Sequence, residues 1–127
     1  MATIVKGKKV RCYYPVSATS EKPVKTFTRH FIHSNESKGL WAHIRDLTPN
    51  EKTMNDAVGH PVAVQIIIGY NPDVLEKWEK LVFIDEQNRT YKLKTKPDEY
   101  EYEKTDLKLV AYAFNDETTY GGDVYDR

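Results

Sequence analysis

PVAVQIIIGY, Pro61–Tyr70, is the stretch from which the fold can be read. Val62, Val64, Ile66, Ile68 and Tyr70 recur at every second position, the period of a strand with one buried face. Ala63 and Ile67 make the other face apolar as well, so both faces are expected to be covered. Asn71-Pro72-Asp73 ends the strand, because proline donates nothing to a ladder and Asn and Asp favour turns. Asp73 to Trp78 is expected to make one or two helical turns, too short to stand alone. Two strands follow within LVFIDEQNRTYKLKTK (Leu81–Lys96), joined at Glu86-Gln87-Asn88-Arg89, and DLKLVAYAF (Asp106–Phe114) is a last strand. The expected core is Val62, Val64, Ile66, Ile68, Leu81, Phe83, Leu93, Leu107 and Leu109.

Outward from this block the chain keeps the same character. KVRCYYPV (Lys9–Val16) is rich in β-formers and is expected to stop at Pro15. Ser17 to Pro23 is small and polar, a loop. KTFTRHFIH (Lys25–His33) suits a strand with Phe27, Arg29 and Phe31 on one face and Thr28, His30 and Ile32 on the other. Ser34 to Gly39 is a turn cluster. LWAHIRDL (Leu40–Leu47) puts Leu40, Ala42 and Ile44 opposite Trp41, His43 and Arg45, with Trp41 expected as a core or interface anchor. Thr48 to His60 is a long polar interval in which Thr48, Pro49 and Glu51 have the spacing of a helix cap. Its weak apolar face favours a loop with one helical turn, and loops of such length are often functional.

Two pairings are open for the charged stretch that follows. A tight turn at Pro97-Asp98 would set Lys92, Lys94 and Lys96 across from Glu103, Glu101 and Glu99. The preferred alternative pairs Thr90–Lys96 with Asp106–Phe114, which keeps Tyr91 and Leu93 near Leu107, Leu109 and Ala111. Residues 115–127 carry almost no apolar content and are expected to be an exposed arm, with Tyr120, Val124 and Tyr125 as small interface anchors. Residues 1–8 are read as a second arm. The chain thus reads as a single all-β domain with a core over residues 9–114. The architecture expected is a small antiparallel β-barrel or sandwich with one long loop, at most one short helix and extended terminal arms.

Composition narrows the function. The 127 residues suffice for one domain with a real core. Basic and acidic residues balance at 19 each, which disfavours a protein that grips duplex DNA through phosphates. The single cysteine, Cys12, cannot form an internal disulfide and is expected to be a half-buried thiol. No apolar run approaches the roughly 18 residues of a membrane span, and the N-terminus lacks signal-peptide features. A reducing, cytoplasmic place of synthesis fits. His30, His33, His43 and His60 do not share a ligand spacing, so no metal is expected. The chain lacks a phosphate loop and a nucleophile elbow, and Glu99, Glu101 and Glu103 read as a solvated face. No catalytic residue, cofactor or enzyme activity is expected.

Four stretches in order, WAHIRDLTPNE (Trp41–Glu51), VQIIIGYNPDV (Val64–Val74), FIDEQNRTYKL (Phe83–Leu93) and LKLVAYAF (Leu107–Phe114), resemble the head–tail joining proteins of tailed bacteriophages. These are also called head-closure, stopper or head–tail adaptor proteins. The residues that carry the resemblance are Trp41 and Ala42, Tyr70 before the Pro72-Asp73 turn, and Tyr91 in the hairpin. Gly69 stands where the family has an arginine, and Glu86-Gln87-Asn88 replaces a turn glycine. The resemblance covers Lys9 to Phe114. It implies a structural virion protein, a small barrel repeated in a ring of commonly about twelve copies. Such a ring sits in the virion neck, assembled in the host bacterial cytoplasm between a portal-side adaptor and a tail or tail-completion protein. It holds the packaged DNA in the capsid, lets DNA pass without reading its sequence, and receives the tail. It also implies that the loop after the Trp-Ala strand can reach the channel, which makes Thr48, Asn50, Glu51, Lys52, Asn55, Asp56 and His60 candidate channel residues. The competing reading is a monomeric barrel that binds protein or nucleic acid, the latter by stacking bases on Tyr13 and Tyr14 beside Lys9 and Arg11.

Overall fold

A computed structural model describes residues 5–17, 26–50, 63–99 and 105–126. Expectations for Val62, for Glu51 to His60, and for Glu101 and Glu103 fall outside the described residues. The strands described are β1 (Lys8–Ser17), β2 (Phe27–Phe31), β3 (Leu40–Asp46), β4 (Ala63–Gly69), β5 (Val82–Ile84), β6 (Thr90–Leu93), β7 (Asp98–Glu99), β8 (Asp106–Ala113) and β9 (Tyr120–Tyr125), and a short helix, α1 (Pro72–Lys77), follows β4.

The sheet runs β3-β4-β8-β6-β5-β1 and closes on itself where Lys8, Lys9 and Val10 of β1 pair with Ala42, Trp41 and Leu40 of β3. The result is a closed six-strand barrel, the barrel alternative of the sequence reading. The register of β3, β4 and β8 stacks the inward residues in rows. Ala42, Ile68 and Leu107 form one row, and Ile44, Ile66 and Leu109 the next. Val10, Cys12, Phe83, Tyr91, Leu93 and Ala111 complete the interior from the other strands. Ala63 and Ile67 are buried on the outer face of β4, so that strand is covered on both sides as expected. Gln65 lies between them, and its Oε1 accepts a hydrogen bond from the Arg45 guanidinium at 3.1 Å.

Each end of the barrel follows from local chemistry. At the far end of β4, Asn71 caps α1, its Oδ1 accepting from the N–H groups of Asp73 and Val74 at 2.9 and 3.3 Å. Pro72 takes the first turn, where its missing donor is harmless. Val74 is fully buried, with Leu75 and Trp78 packed half-buried on the interior cluster. At the opposite end the β5–β6 hairpin turns through Asn88 at φ 63°. Asparagine tolerates this left-handed conformation and so replaces a turn glycine. Asp85 Oδ1 accepts from the N–H groups of Gln87 and Arg89, both at 2.9 Å, and its Oδ2 accepts from the Tyr91 hydroxyl at 3.0 Å. Gly39, at φ 124°, must remain glycine, because a Cβ there would meet the Val10 carbonyl oxygen at 2.5 Å.

Thr90–Lys96 was expected to pair with β8, and Tyr91, Lys92 and Leu93 do so, opposite Ala113, Tyr112 and Ala111. The Lys–Glu hairpin does not form at Glu99, which instead faces Leu107 across the β7–β8 ladder.

Three expectations are corrected. First, β1 does not stop at Pro15 but runs to Ser17. Its partner β5 reaches only Tyr13, so Pro15 has a strand on one side only and its missing N–H breaks no second ladder. Second, of the two roles expected for Trp41, core or interface anchor, the structure excludes the core. Trp41 is 56% exposed on the outer face of β3, with the Lys9 ammonium 4.4 Å from its ring centroid. Third, the two ends of the chain are not simply free arms. Lys8 already belongs to β1, Lys6 pairs with Asp106 at 2.9 Å, and Tyr120–Tyr125 is a strand of the same sheet.

Candidate functional site

Beyond the barrel, the second half of β1 carries a wing. Tyr13 to Ser17 pair with Phe31 to Phe27 of β2, antiparallel, and β2 pairs in parallel with β9. Neither β2 nor β9 has the apolar run that forms a core strand, so the wing is held by other means.

The C-terminal strand is fastened at three places. Asp116, in the connection after β8, accepts hydrogen bonds from the hydroxyls of Tyr13 at 2.6 Å and Tyr120 at 2.7 Å, both on Oδ2. Its Oδ1 accepts from the Thr118 N–H at 3.1 Å. Burial alone would raise this carboxyl, but the bonds from Tyr120, Tyr13 and Thr118 outweigh it and hold Asp116 below the usual carboxylate range. Burial and then the bond to Asp116 push Tyr13 well above the ordinary phenol range, so its hydroxyl stays a donor. The second fastening is ionic. Arg29 of β2 forms a two-pronged pair with Asp123 of β9, at 2.7 and 3.0 Å. The guanidinium also lies 5.5 Å from the rings of Tyr13, Phe31 and Tyr120. The third is aromatic: Phe31 and Tyr125 stack at 4.6 Å with planes 9° apart. Backbone bonds tie both ends, from the Phe27 N–H to the Thr119 carbonyl and from the Asp126 N–H to the Phe31 carbonyl.

This cluster fastens a strand. Its hydroxyls are held protonated and converge on one carboxylate. What the wing leaves open is an edge. β9 is the last strand in the order, so its outer backbone groups carry no further strand among the described residues. On the face of the wing away from the fastenings, Tyr14, His30 and Val124 stand in one cross-strand row, with Val16 and Thr28 in the next. Val124 is 47% exposed and Val16 is also exposed.

The candidate residues therefore separate. Tyr120 and Tyr125, read as anchors for a partner, are half-buried on the chain's own wing, while Val124 points away from it. Sequence reasoning missed Asp116, Arg29 and Asp123, whose partners lie far along the chain. Ala42 is fully buried, Tyr91 nearly so, and Tyr70 donates its N–H to the Thr105 carbonyl. Pro72 and Asp73 open α1, where Asp73 faces Lys77 at 3.5 Å. Ala42 and Tyr91 build the barrel interior, whereas Trp41 and Pro72 stand out on the surface.

Of the channel candidates, Thr48 and Asn50 are described, both exposed, and Pro49 and Asn50 begin a helical segment as the cap spacing predicted. The Leu47 N–H donates to the Ala63 carbonyl at 3.0 Å. The interval between β3 and β4 therefore leaves and re-enters the barrel at one point. Beside it lies an opening rimmed by both signs of charge, with Lys8, Arg45 and Arg89 alternating with Asp46, Asp85 and Glu86.

The aromatic platform for nucleic acid is not available as read. Tyr13 is buried and its hydroxyl is committed to Asp116. Tyr14 is half-buried beneath the Lys80 ammonium, 4.6 Å from its ring. Among the described residues no cluster of His, Cys, Asp and Glu could hold a metal ion, and no helix is long and apolar enough to cross a membrane. No protein-family model matches the chain, and no curated protein matches it.

Proposed function

We propose that the chain is a structural protein of a tailed-phage neck, a barrel repeated in a ring that closes the DNA-filled head and receives the tail. One observation carries the reading. The four stretches that resemble head–tail joining proteins fall on β3, on β4 with α1, on the β5–β6 hairpin and on β8. With the hairpin supplying both β5 and β6, they build five neighbouring strands of one closed barrel wall in the order β3-β4-β8-β6-β5.

Two further features support it. The interval after the Trp-Ala strand is anchored at one point by the Leu47–Ala63 bond, as suits a loop reaching toward a channel. Its Glu51, Lys52 and Asp56 nearly cancel in charge, so it would not hold passing DNA tightly. Rings also require two different patches on each subunit. The open β9 edge with Val124 and the exposed face around Trp41 are two such patches on separate parts of the molecule. Particles made without this chain should package DNA, then lose it and stay tailless. Replacing Glu51–His60 with Gly-Ser should cause DNA loss while leaving the ring in place. Infectious particles at normal yield without the chain would overturn the proposal.

A further inference from the structure

His33 follows β2 and is only 6% exposed. Its Nδ1 lies 3.0 Å from the Ser34 carbonyl oxygen. A carbonyl can only accept, so Nδ1 carries the proton of the neutral ring and Nε2 is a bare lone pair. Nε2 is buried and has no hydrogen-bond partner. A neutral imidazole tolerates an unpaired acceptor. An imidazolium would bury an N–H and a charge with nothing to receive them, which is far more costly.

The surroundings of the ring oppose the charge more than they favour it. Its aromatic neighbours are Phe31 of β2 at 5.3 Å and Tyr125 of β9 at 5.9 Å. From β1, Arg11 and Lys9 face it with positive charge. From the residue after β9, Asp126 faces it with negative charge. Burial first, then Arg11 and Lys9, hold its pKa below the ordinary imidazole range, against the Ser34 carbonyl and Asp126. The Phe31 ring could stabilise a cation, but Arg11 and Arg29 already lie 5.5 Å from its centroid. Of the two aromatic neighbours, Phe31 is locked in the wing and 1% exposed. Tyr125 is half-buried on an edge strand and is the one that can give way.

We propose that His33 is an acid-sensitive latch on the C-terminal strand, so that protonation of its ring loosens β9 from β2 at the Tyr125 end. Because the neutral ring is the one the folded wing accepts, the latch is fully closed above about pH 6.5, the ordinary histidine value. It weakens as pH falls through the lower folded value. The consequence is a C-terminal strand offered for pairing elsewhere, and a β2 edge left open, in mildly acidic surroundings only.

Hydrogen exchange of the full chain, corrected for the intrinsic pH dependence of amides, tests this at about pH 7.5 and about pH 5. Amides of Tyr120–Tyr125 should lose protection at the lower pH, by up to about thirtyfold, the limit set by the gap between the ordinary histidine value of about 6.5 and about pH 5. Amides of β4 and β8 should not change. His33→Asn retains a donor for the Ser34 carbonyl but cannot titrate, and should remove the step. His33→Phe serves the same purpose should the Asn variant fail to fold. An NMR titration of the His33 ring supplies a readout without substitution, and its midpoint should coincide with the loss of protection. Unchanged β9 protection while His33 takes up its proton would overturn the latch. So would an identical acid step in the non-titrating variants, which would place its origin outside His33.

Discussion

Ile66→Ala should lower the unfolding free energy by about 2–5 kcal/mol, the range for truncating a buried aliphatic side chain. Ile66 is at 0% exposure in the middle of β4, between Ile44 on β3 and Leu109 on β8. The cost should fall toward the upper part of that range. A closed barrel has its strand spacing set by hydrogen bonds all round, so its wall cannot collapse into the cavity as a loose helix pair can. Urea denaturation followed by far-ultraviolet circular dichroism measures this directly. A loss under about 0.5 kcal/mol, the scale of a surface substitution, would mean that Ile66 does not face a packed interior.

Phe31→Ala should cost about 3–5 kcal/mol, as large as any core truncation, although Phe31 lies outside the barrel. The ring is the hub of the wing. It touches Tyr13 at 5.4 Å, stacks on Tyr125 and lies under Arg11 and Arg29. Its loss removes the ring on which Tyr125 stacks and takes apolar cover from Val82 and Ile84, which share its cluster. Chemical denaturation should show the drop, and hydrogen exchange should show β9 freed before the barrel opens. Val124→Ala on the exposed face of the same strand should change stability by no more than about 0.5 kcal/mol. Equal effects of the two substitutions would contradict the described packing of β9.

The barrel was legible because its information is local. The alternation in Val62–Tyr70, the proline break, the Asn88 turn and the alternation in Asp106–Phe114 each specify one element without reference to another. Burial on both faces of β4 showed in Ala63 and Ile67 for the same reason. The wing was not legible because its information is distant. Arg29 and Asp123 are 94 positions apart, and Tyr13 and Asp116 are 103 apart. Nothing in YGGDVY alone marks a strand: two glycines weaken it, and its stability comes from a cation and a stacked ring supplied by β2. The one usable signal was the placement of Tyr120 and Tyr125 on either side of the polar residues, which the sequence reading took for anchors. They are anchors, but on the chain's own sheet.

Pro15 misled for a related reason. A proline ends a strand only where a neighbour on the side of its nitrogen needs the missing N–H, and whether that neighbour exists is a fact of topology. Trp41 shows the same limit. Alternation placed it correctly on the face opposite Ala42, yet the exposure of that face depends on what lies against β3. The functional residues divide along this line. Residues that build the barrel wall were found from pattern, whereas those that fasten the C-terminal strand needed the fold.

The most direct measurement for the proposed neck role is an electron cryo-microscopy reconstruction of the neck in tailed-phage particles assembled with this chain. The account predicts a ring of six-strand barrels between the portal-side adaptor and the tail, with the β3–β4 loops turned toward the axis. A neck fully accounted for by other proteins, with no density that fits this barrel, would contradict it.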